Sequence, residues 1–141
     1  PDALEQVLIS LKNQTERKVY VVFGCGGERD RGKRSQMGKV AEKIADSIII
    51  TDDNPRNESA SKIRRDILAG CPDAIQIANR DEAIEFAINQ LQHSDSLLIA
   101  GKGHENLQLI GSETLPFNDA VVARNSVMRL RETILKSEAK K

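Results

Sequence analysis

The sequence predicts an α/β fold: a mostly parallel sheet flanked by helices, of the Rossmann-like kind. Short runs of apolar, β-branched residues alternate with longer amphipathic segments through four rounds. That alternation is typical of parallel strands covered by helices on both faces. The length of 141 residues suits one domain, and 39% hydrophobic residues can supply a packed core.

The first half of the chain contains two strand–helix rounds, preceded by a helix. The opening helix has one apolar face, formed by Leu4, Val7, Leu8 and Leu11. Residues 18–23 are almost entirely apolar and predict a buried strand, which a glycine-rich charged loop over residues 24–34 follows. Ser35 is the predicted cap of the second helix, and residues 47–51 predict the second strand.

The second half continues the pattern. Ser59 is the predicted cap of a third helix, which Gly70 ends. Residues 74–78 predict a short strand, Asp81 is the predicted cap of a fourth helix, and residues 96–100 predict another buried strand.

After the fourth strand the pattern weakens. Residues 106–117 predict an extended segment or hairpin, and apolar spacing over residues 123–134 predicts a last helix. We therefore expect a domain over residues 1–135 and a frayed, charged tail over residues 136–141. Because the chain begins with Pro rather than Met, we expect it to be a fragment of a longer protein.

The composition of the chain argues against several classes of protein. Lys plus Arg and Asp plus Glu are both 21, so the basic excess typical of a nucleic-acid binder is missing. No apolar run approaches the ~20 residues of a membrane span. Cys25 and Cys71 cannot form a disulfide framework, which favours a cytoplasmic protein. His93 and His104 show no zinc-binding spacing, so no metal site is predicted.

Three polar loops follow predicted strands directly: residues 24–34, 52–56 and 101–105. The carboxyl ends of parallel strands share one edge of a sheet, and ligands of open α/β sheets bind there. Each loop alone could be a solvated turn. Their convergence predicts one binding site.

The side chains of these loops suit a small zwitterion. Arg56 can clamp a carboxylate with two parallel hydrogen bonds, and Asn54 adds an amide. Glu105 can accept from an ammonium group, and Lys102 and His104 lie beside it in the sequence. An amino acid therefore fits better than a nucleic acid.

The first loop also imitates nucleotide-binding motifs. Residues 27–33 match most of a phosphate-binding P-loop, but Arg34 stands where that motif requires Ser or Thr. Arg29 stands where a dinucleotide fingerprint requires its third glycine. A stand-alone Rossmann-like or P-loop-like nucleotide-binding module remains the alternative, as does an interaction domain without chemistry.

Residues 23–34, 51–56 and 100–105 closely resemble the C-terminal domain of the Mur ligases, in the group that adds meso-diaminopimelate. The resemblance implies an ATP-dependent ligase that joins meso-diaminopimelate to UDP-MurNAc-L-Ala-D-Glu in peptidoglycan synthesis. It implies that this domain binds the incoming amino acid and helps to close over ATP. ATP, Mg²⁺ and the UDP-MurNAc-dipeptide would be held mainly by domains outside this sequence, so the fragment would have no catalytic residue and no turnover of its own.

The resemblance also assigns residues by position. The family's diaminopimelate contacts match Arg29, Asn54, Arg56, Gly101 and Glu105. Supporting positions are Asp53, Pro55, Lys102 and His104. A contact with the ATP ribose is implied for Glu28 or Asp30, although the family often has Asp where this chain has Glu28.

Overall fold

The structure, a computed structural model, describes residues 2–27, 31–100 and 108–110. Within these residues the chain forms helices and strands in regular alternation. The helices are α1 (Asp2–Gln14), α2 (Gly32–Ile44), α3 (Ala60–Leu68) and α4 (Arg80–Gln90). The strands are β1 (Val19–Phe23), β2 (Ser47–Ile50), β3 (Ile75–Gln76), β4 (Ser96–Ala100) and β5 (Gln108–Ile110).

The strands form one sheet in the order β3-β2-β1-β4-β5. β1 pairs in parallel with β2 and with β4, β2 pairs in parallel with β3, and β5 runs antiparallel to β4. The predicted mostly parallel α/β fold is confirmed. The chain adds strands on one side of β1 and then returns to its other side, so β1 and β4 flank the point where strand order reverses, which is the usual ligand crevice of such folds.

The core lies on both faces of the sheet because alternate side chains of a strand point to opposite faces. Val21 and Phe23 of β1 belong to a first cluster with Leu8 of α1 and residues of α2 and α3. Tyr20 and Val22 belong to a second cluster, which residues of α4 complete. β1 is therefore buried on both faces, as its apolar sequence predicts.

The start of α2 differs from its prediction, whereas the start of α3 agrees with it. The helix α2 begins at Gly32, so Ser35 lies inside its first turn and donates to the Gly32 carbonyl oxygen at 3.4 Å instead of capping. Ser59 does cap α3, since its hydroxyl accepts a hydrogen bond from the backbone N–H of Lys62 at 3.4 Å. The glycine that looks like part of the loop is thus recruited into a helix.

The start of α4 and the length of β3 also differ from their predictions. The cap of α4 is Asn79, whose side-chain oxygen accepts from the backbone N–H of Glu82 at 3.0 Å, and Asp81 lies in the first turn. An acidic residue there is still favourable because of the helix dipole. The strand predicted over residues 74–78 is reduced to Ile75–Gln76 at the sheet edge, where both residues are exposed.

Part of the C-terminal prediction falls on described residues. The extended segment predicted over residues 106–117 contains β5, which pairs with β4. The predicted last helix and the tail over residues 136–141 lie outside the described residues. Among the helices that the structure describes, none has the length and apolar character required to cross a membrane.

Candidate amino-acid-binding site

The structure describes the middle of the three predicted loops completely and the first in part. Asp53, Asn54, Pro55 and Arg56 follow β2 at the carboxyl edge of the sheet, beside residues 24–27, which follow β1. The remaining predicted site residues lie outside the described residues: Glu28, Arg29, Asp30, Gly101, Lys102, His104 and Glu105. The structure brings the first two loops into contact with each other.

The two loops are interlocked through their backbones. The N–H of Gly27 donates to the carbonyl oxygen of Asn54 at 3.0 Å. A Cβ atom at Gly27 would lie 1.8 Å from the carbonyl oxygen of Pro55, and one at Gly24 would lie 2.3 Å from that of Thr51. Only glycine allows approaches this close, so the glycines of the first loop serve a backbone contact.

The turn after β2 is conformationally unusual. Asn54 and Arg56 have φ angles of 39° and 53°, in the left-handed region. Asn enters this region readily, whereas a long side chain such as Arg does so at a cost of about 1–3 kcal/mol. Both residues are exposed. Such strain is concentrated at ligand clamps and active sites, where the surrounding structure maintains it.

The Arg56 side chain reaches back to the first loop. Its Nη1 donates to the carbonyl oxygen of Gly27 at 2.5 Å. A guanidinium carries five N–H donors, so this bond fixes its direction and leaves further donors for a ligand. Arg56 is therefore an oriented, exposed cation at the carboxyl edge of the sheet.

Two acidic residues, Asp52 and Asp53, directly precede Asn54 and help to anchor the turn. Asp53 is only 7% exposed. Asp52 forms an ion pair with Arg64 of α3, whose Nε also donates to the side-chain oxygen of Gln76 at 2.8 Å. These contacts link the residues before the turn to α3 and to β3. Asn54 and Arg56 are exposed.

A buried arginine, which sequence reasoning missed as a structural element, lies beneath both loops. The Arg34 side chain is 1% exposed. Its Nη2 and Nη1 donate to the two carboxylate oxygens of Glu58 at 2.9 and 3.1 Å, and Nη1 also donates to Asp66 at 3.0 Å. Nη2 further approaches the carbonyl oxygen of Gly26 at 3.4 Å. The hydrogen bond to Glu58 is the main cause that raises the pKa of Arg34, while burial acts in the opposite direction.

One sequence signal could have revealed this burial. Arg34, Gly38 and Ala41 recur at i, i+4 and i+7, and all three are buried on one face of α2. An arginine on the buried face of a helix requires carboxylate partners. The pattern predicts that such partners exist but does not identify them.

The contacts of Arg34 explain how residues 27–34 differ from a true phosphate-binding loop. Arg34 occupies the position of the metal-binding hydroxyl, and its guanidinium is committed to two carboxylates. No group of three metal-binding side chains occurs in the part of the chain that the structure describes. Position 34 therefore offers Mg²⁺ no hydroxyl ligand of the kind that a P-loop supplies.

Cys25 lies in the first loop, directly after Gly24. Its thiol is half-buried and contacts the Met37 sulfur at 3.5 Å. Burial raises the pKa of the Cys25 thiol to about 11. The thiol is thus protonated at neutral pH and fills space beside α2.

Comparison with known proteins identifies the family of this chain. Residues 1–103 match the family model described as "Mur ligase, glutamate ligase domain". The chain belongs to the Mur ligase family. The predicted resemblance is confirmed, and a stand-alone nucleotide-binding module is not favoured.

Two relatives of this Mur ligase domain are both named UDP-N-acetylmuramoyl-L-alanyl-D-glutamate–2,6-diaminopimelate ligase. The protein from Rickettsia montanensis is 57% identical over 131 residues, and that from Agrobacterium fabrum is 49% identical over 130 residues. These alignments cover 90% and 92% of this chain but 27% of each relative. The chain thus spans about a quarter of the length of these relatives.

A solved structure of a ligase with the same name has a TM-score of 0.79 and 42% sequence identity to this chain. The match covers 93% of this chain and 28% of that structure. The chain is therefore similar to one part of a larger ligase.

Proposed function

We propose that this chain is the part of a diaminopimelate-adding Mur ligase that binds the incoming amino acid. The whole ligase would use ATP to join meso-diaminopimelate to UDP-MurNAc-L-Ala-D-Glu in peptidoglycan synthesis. The observation that carries the proposal is the strained turn at Asn54 and Arg56, which is anchored to the glycine loop and presents an oriented guanidinium. The names of the relatives support the choice of diaminopimelate.

In this proposal the turn binds the second carboxylate of diaminopimelate. A guanidinium matches a carboxylate with two parallel hydrogen bonds, and Asn54 adds a directional amide. Lysine lacks that carboxylate, so it would leave Arg56 without its partner in a closed site. A site built to pair a polar group can reject an analogue that lacks it by about 10⁴-fold or more.

The other contacts of the amino acid remain predictions. We propose that Arg29 adds a second guanidinium and that Glu105 and the Gly101 carbonyl hold the ammonium group of the same ligand. Lys102 and His104 would support that loop. The stereocentre would then be recognised through a carboxylate, an ammonium and their common carbon.

The remaining substrates would bind mainly outside this chain. We propose that ATP, Mg²⁺ and the UDP-MurNAc-dipeptide are held by other domains of the ligase, with Glu28 or Asp30 reaching the ATP ribose. The contribution of this chain would be positional, because it holds the attacking amine against an activated carboxylate. The free thiols Cys25 and Cys71 are consistent with a cytoplasmic location.

Substitution of Arg56 in the full-length ligase tests the proposal. We expect Arg56→Ala to lower kcat/KM for meso-diaminopimelate by at least about a hundredfold, the loss of a charge-assisted pair, while KM for ATP changes less than about twofold. Arg56→Lys should be nearly as harmful because an ammonium cannot make the forked contact. Steady-state kinetics with each substrate varied in turn provide the measurement.

Arg65→Ala is the matched control, because Arg65 is also an exposed arginine but belongs to α3 rather than to the turn. It should leave both constants unchanged. Unaltered diaminopimelate kinetics in Arg56→Ala would refute the assignment of the turn to the amino acid. A wild-type ligase that uses lysine as well as diaminopimelate would refute the specificity argument.

A further inference from the structure

We propose that Arg34 is a positioning residue for the amino-acid site: it holds the two loops in the register that aims Arg56. This inference rests on the proposed function. It concerns a side chain that touches no ligand, since Arg34 is 1% exposed. Its effect would be transmitted through the segments that it contacts.

Arg34 contacts the chain immediately next to the site on both sides. Gly26, whose carbonyl oxygen Arg34 approaches, precedes Gly27, which accepts the hydrogen bond of Arg56. Glu58 lies two residues after Arg56, and its backbone N–H donates to the carbonyl oxygen of Pro55 at 3.0 Å. One guanidinium therefore fixes the entry to the first loop and the exit from the second.

The arrangement also fixes the loops relative to the sheet. Asp66, the third partner of Arg34, lies on α3, which packs against β2 through the first core cluster. Two carboxylates around one guanidinium leave an excess of negative charge, which the exposed Arg31 offsets with its Nε 3.8 Å from Glu58. This network is directional, because each bond requires a particular orientation of the planar guanidinium.

An apolar or ammonium side chain at position 34 cannot replace these bonds. Met would leave Glu58, which is 11% exposed, without its forked partner. Lys would keep the charge but could not bridge Glu58, Asp66 and Gly26 in one plane. In either case the turn would lose its fixed register, and the carboxylate contacts of Arg56 would lengthen. Displacements of about 1 Å in such positioning contacts can cost about a hundredfold in rate.

The experiment uses the full-length ligase with Arg34→Lys and Arg34→Met, and Glu58→Gln as a milder variant that keeps the shape of its side chain. Arg65→Met, on the exposed side of α3, is the matched control. Thermal unfolding identifies the folded variants, and kinetics are measured well below each Tm. Initial rates are recorded with meso-diaminopimelate, ATP or the UDP-MurNAc-dipeptide varied.

We expect Arg34→Lys and Arg34→Met to raise KM for meso-diaminopimelate by about tenfold or more and Glu58→Gln by about threefold, with the other two KM values within twofold. The control should match the wild type. If Arg34→Met does not fold, Arg34→Lys and Glu58→Gln decide the question.

Two results would overturn the proposal. The first is a lower Tm with unchanged KM for diaminopimelate in every folded variant, which would make the network purely structural. The second is full rescue by Arg34→Lys, which would make the charge alone sufficient. Failure of the proposed function looks different, because the wild-type ligase itself would then show no turnover that depends on diaminopimelate.

Discussion

Burial distinguishes two arginines near the carboxyl edge of the sheet. Arg34 and Arg56 lie on either side of the same pair of loops, but one is 1% exposed and the other is exposed. The Nη1 and Nη2 donors of Arg34 bind Glu58, Asp66 and a backbone carbonyl oxygen, and burial keeps the guanidinium away from a small molecule. Arg56 is oriented by one carbonyl bond and can still bind a carboxylate.

Cys25 provides a further test at the scale of one residue. Because burial raises the pKa of its thiol to about 11, only about one thousandth of it is thiolate at pH 8, against roughly a quarter of a free cysteine with a pKa near 8.5. We expect Cys25 to react with iodoacetamide at least about a hundredfold more slowly than free cysteine at pH 8. Its rate should then rise about tenfold per pH unit up to pH 10.

The reaction is followed by mass spectrometry, and the Cys25→Ser variant reports any contribution from Cys71, which is fully buried. A rate at pH 8 that equals that of free cysteine would show that the thiol is not desolvated. In that case the packing of Cys25 against Met37 would not describe the protein in solution.

Sequence reasoning reached some of these residues and not others. Asn54 and Arg56 could be proposed as site residues because three motifs in order resemble a known family, and the positions directly after a predicted strand indicate an edge of the sheet. The partners of Arg34 could not, since Glu58 and Asp66 are 24 and 32 positions away and meet it only when α2 and α3 pack together. Pairing across such distances depends on tertiary contacts rather than on local pattern.

At the scale of elements, the loops after β1 and β2 behave as one unit. They exchange a backbone hydrogen bond between Gly27 and Asn54, and Arg56 returns a side-chain bond to Gly27. The close approach of Gly27 to Pro55 leaves no room for a side chain. A substitution that displaces the first loop should therefore displace the second loop as well, so that both are destabilised.

Gly27→Ala tests this coupling. The added methyl group would lie 1.8 Å from the carbonyl oxygen of Pro55, so the loops must separate. We expect a loss of about 1–3 kcal/mol in the free energy of unfolding, typical of overpacking, measured by urea denaturation. Lys39→Ala, on the exposed side of α2, serves as the surface control and should change it by less than about 0.5 kcal/mol. Equal stabilities for Gly27→Ala and the wild type would contradict the interlocked arrangement.

The ends of helices were the least predictable elements. The predicted cap Ser59 is confirmed, because its hydroxyl accepts a hydrogen bond from the backbone N–H of Lys62 in the first turn of α3. Ser35 is not a cap, because α2 begins one turn earlier at Gly32, without a side-chain cap. Where α2 begins is set by tertiary contacts: starting the helix early places Arg34 on its buried face, opposite Glu58 and Asp66.

At the scale of the whole molecule, the alternation of strands and helices was sufficient to predict a parallel sheet, but not the order of its strands. That order depends on which strand the chain returns to after α4. By pairing with β1 on the side away from β2, β4 creates the reversal at which ligands of such folds bind. After α4 the chain could pair its next strand with β3 or with β1. Local sequence does not distinguish these long-range pairings.

The two core clusters share β1, so we expect the described domain to unfold as one cooperative unit. Leu8→Ala, a truncation of a fully buried residue in the first cluster, should lower the free energy of unfolding by about 2–5 kcal/mol. The single tyrosine of the chain, Tyr20, lies in the second cluster and reports on the opposite face of the sheet. Urea unfolding followed by tyrosine fluorescence and by far-UV circular dichroism should give coincident transitions in wild type and variant.

The matched control is Ile9→Ala, next to Leu8 on α1 but 40% exposed, which should cost far less than Leu8→Ala. If the fluorescence of Tyr20 kept its wild-type midpoint in Leu8→Ala while the dichroism shifted, the two faces would unfold separately. The sheet would then not transmit stability between its layers. In that case β1 would be two half-buried surfaces rather than the common centre of the domain, and the carboxyl edge that carries the site would depend on the first cluster alone.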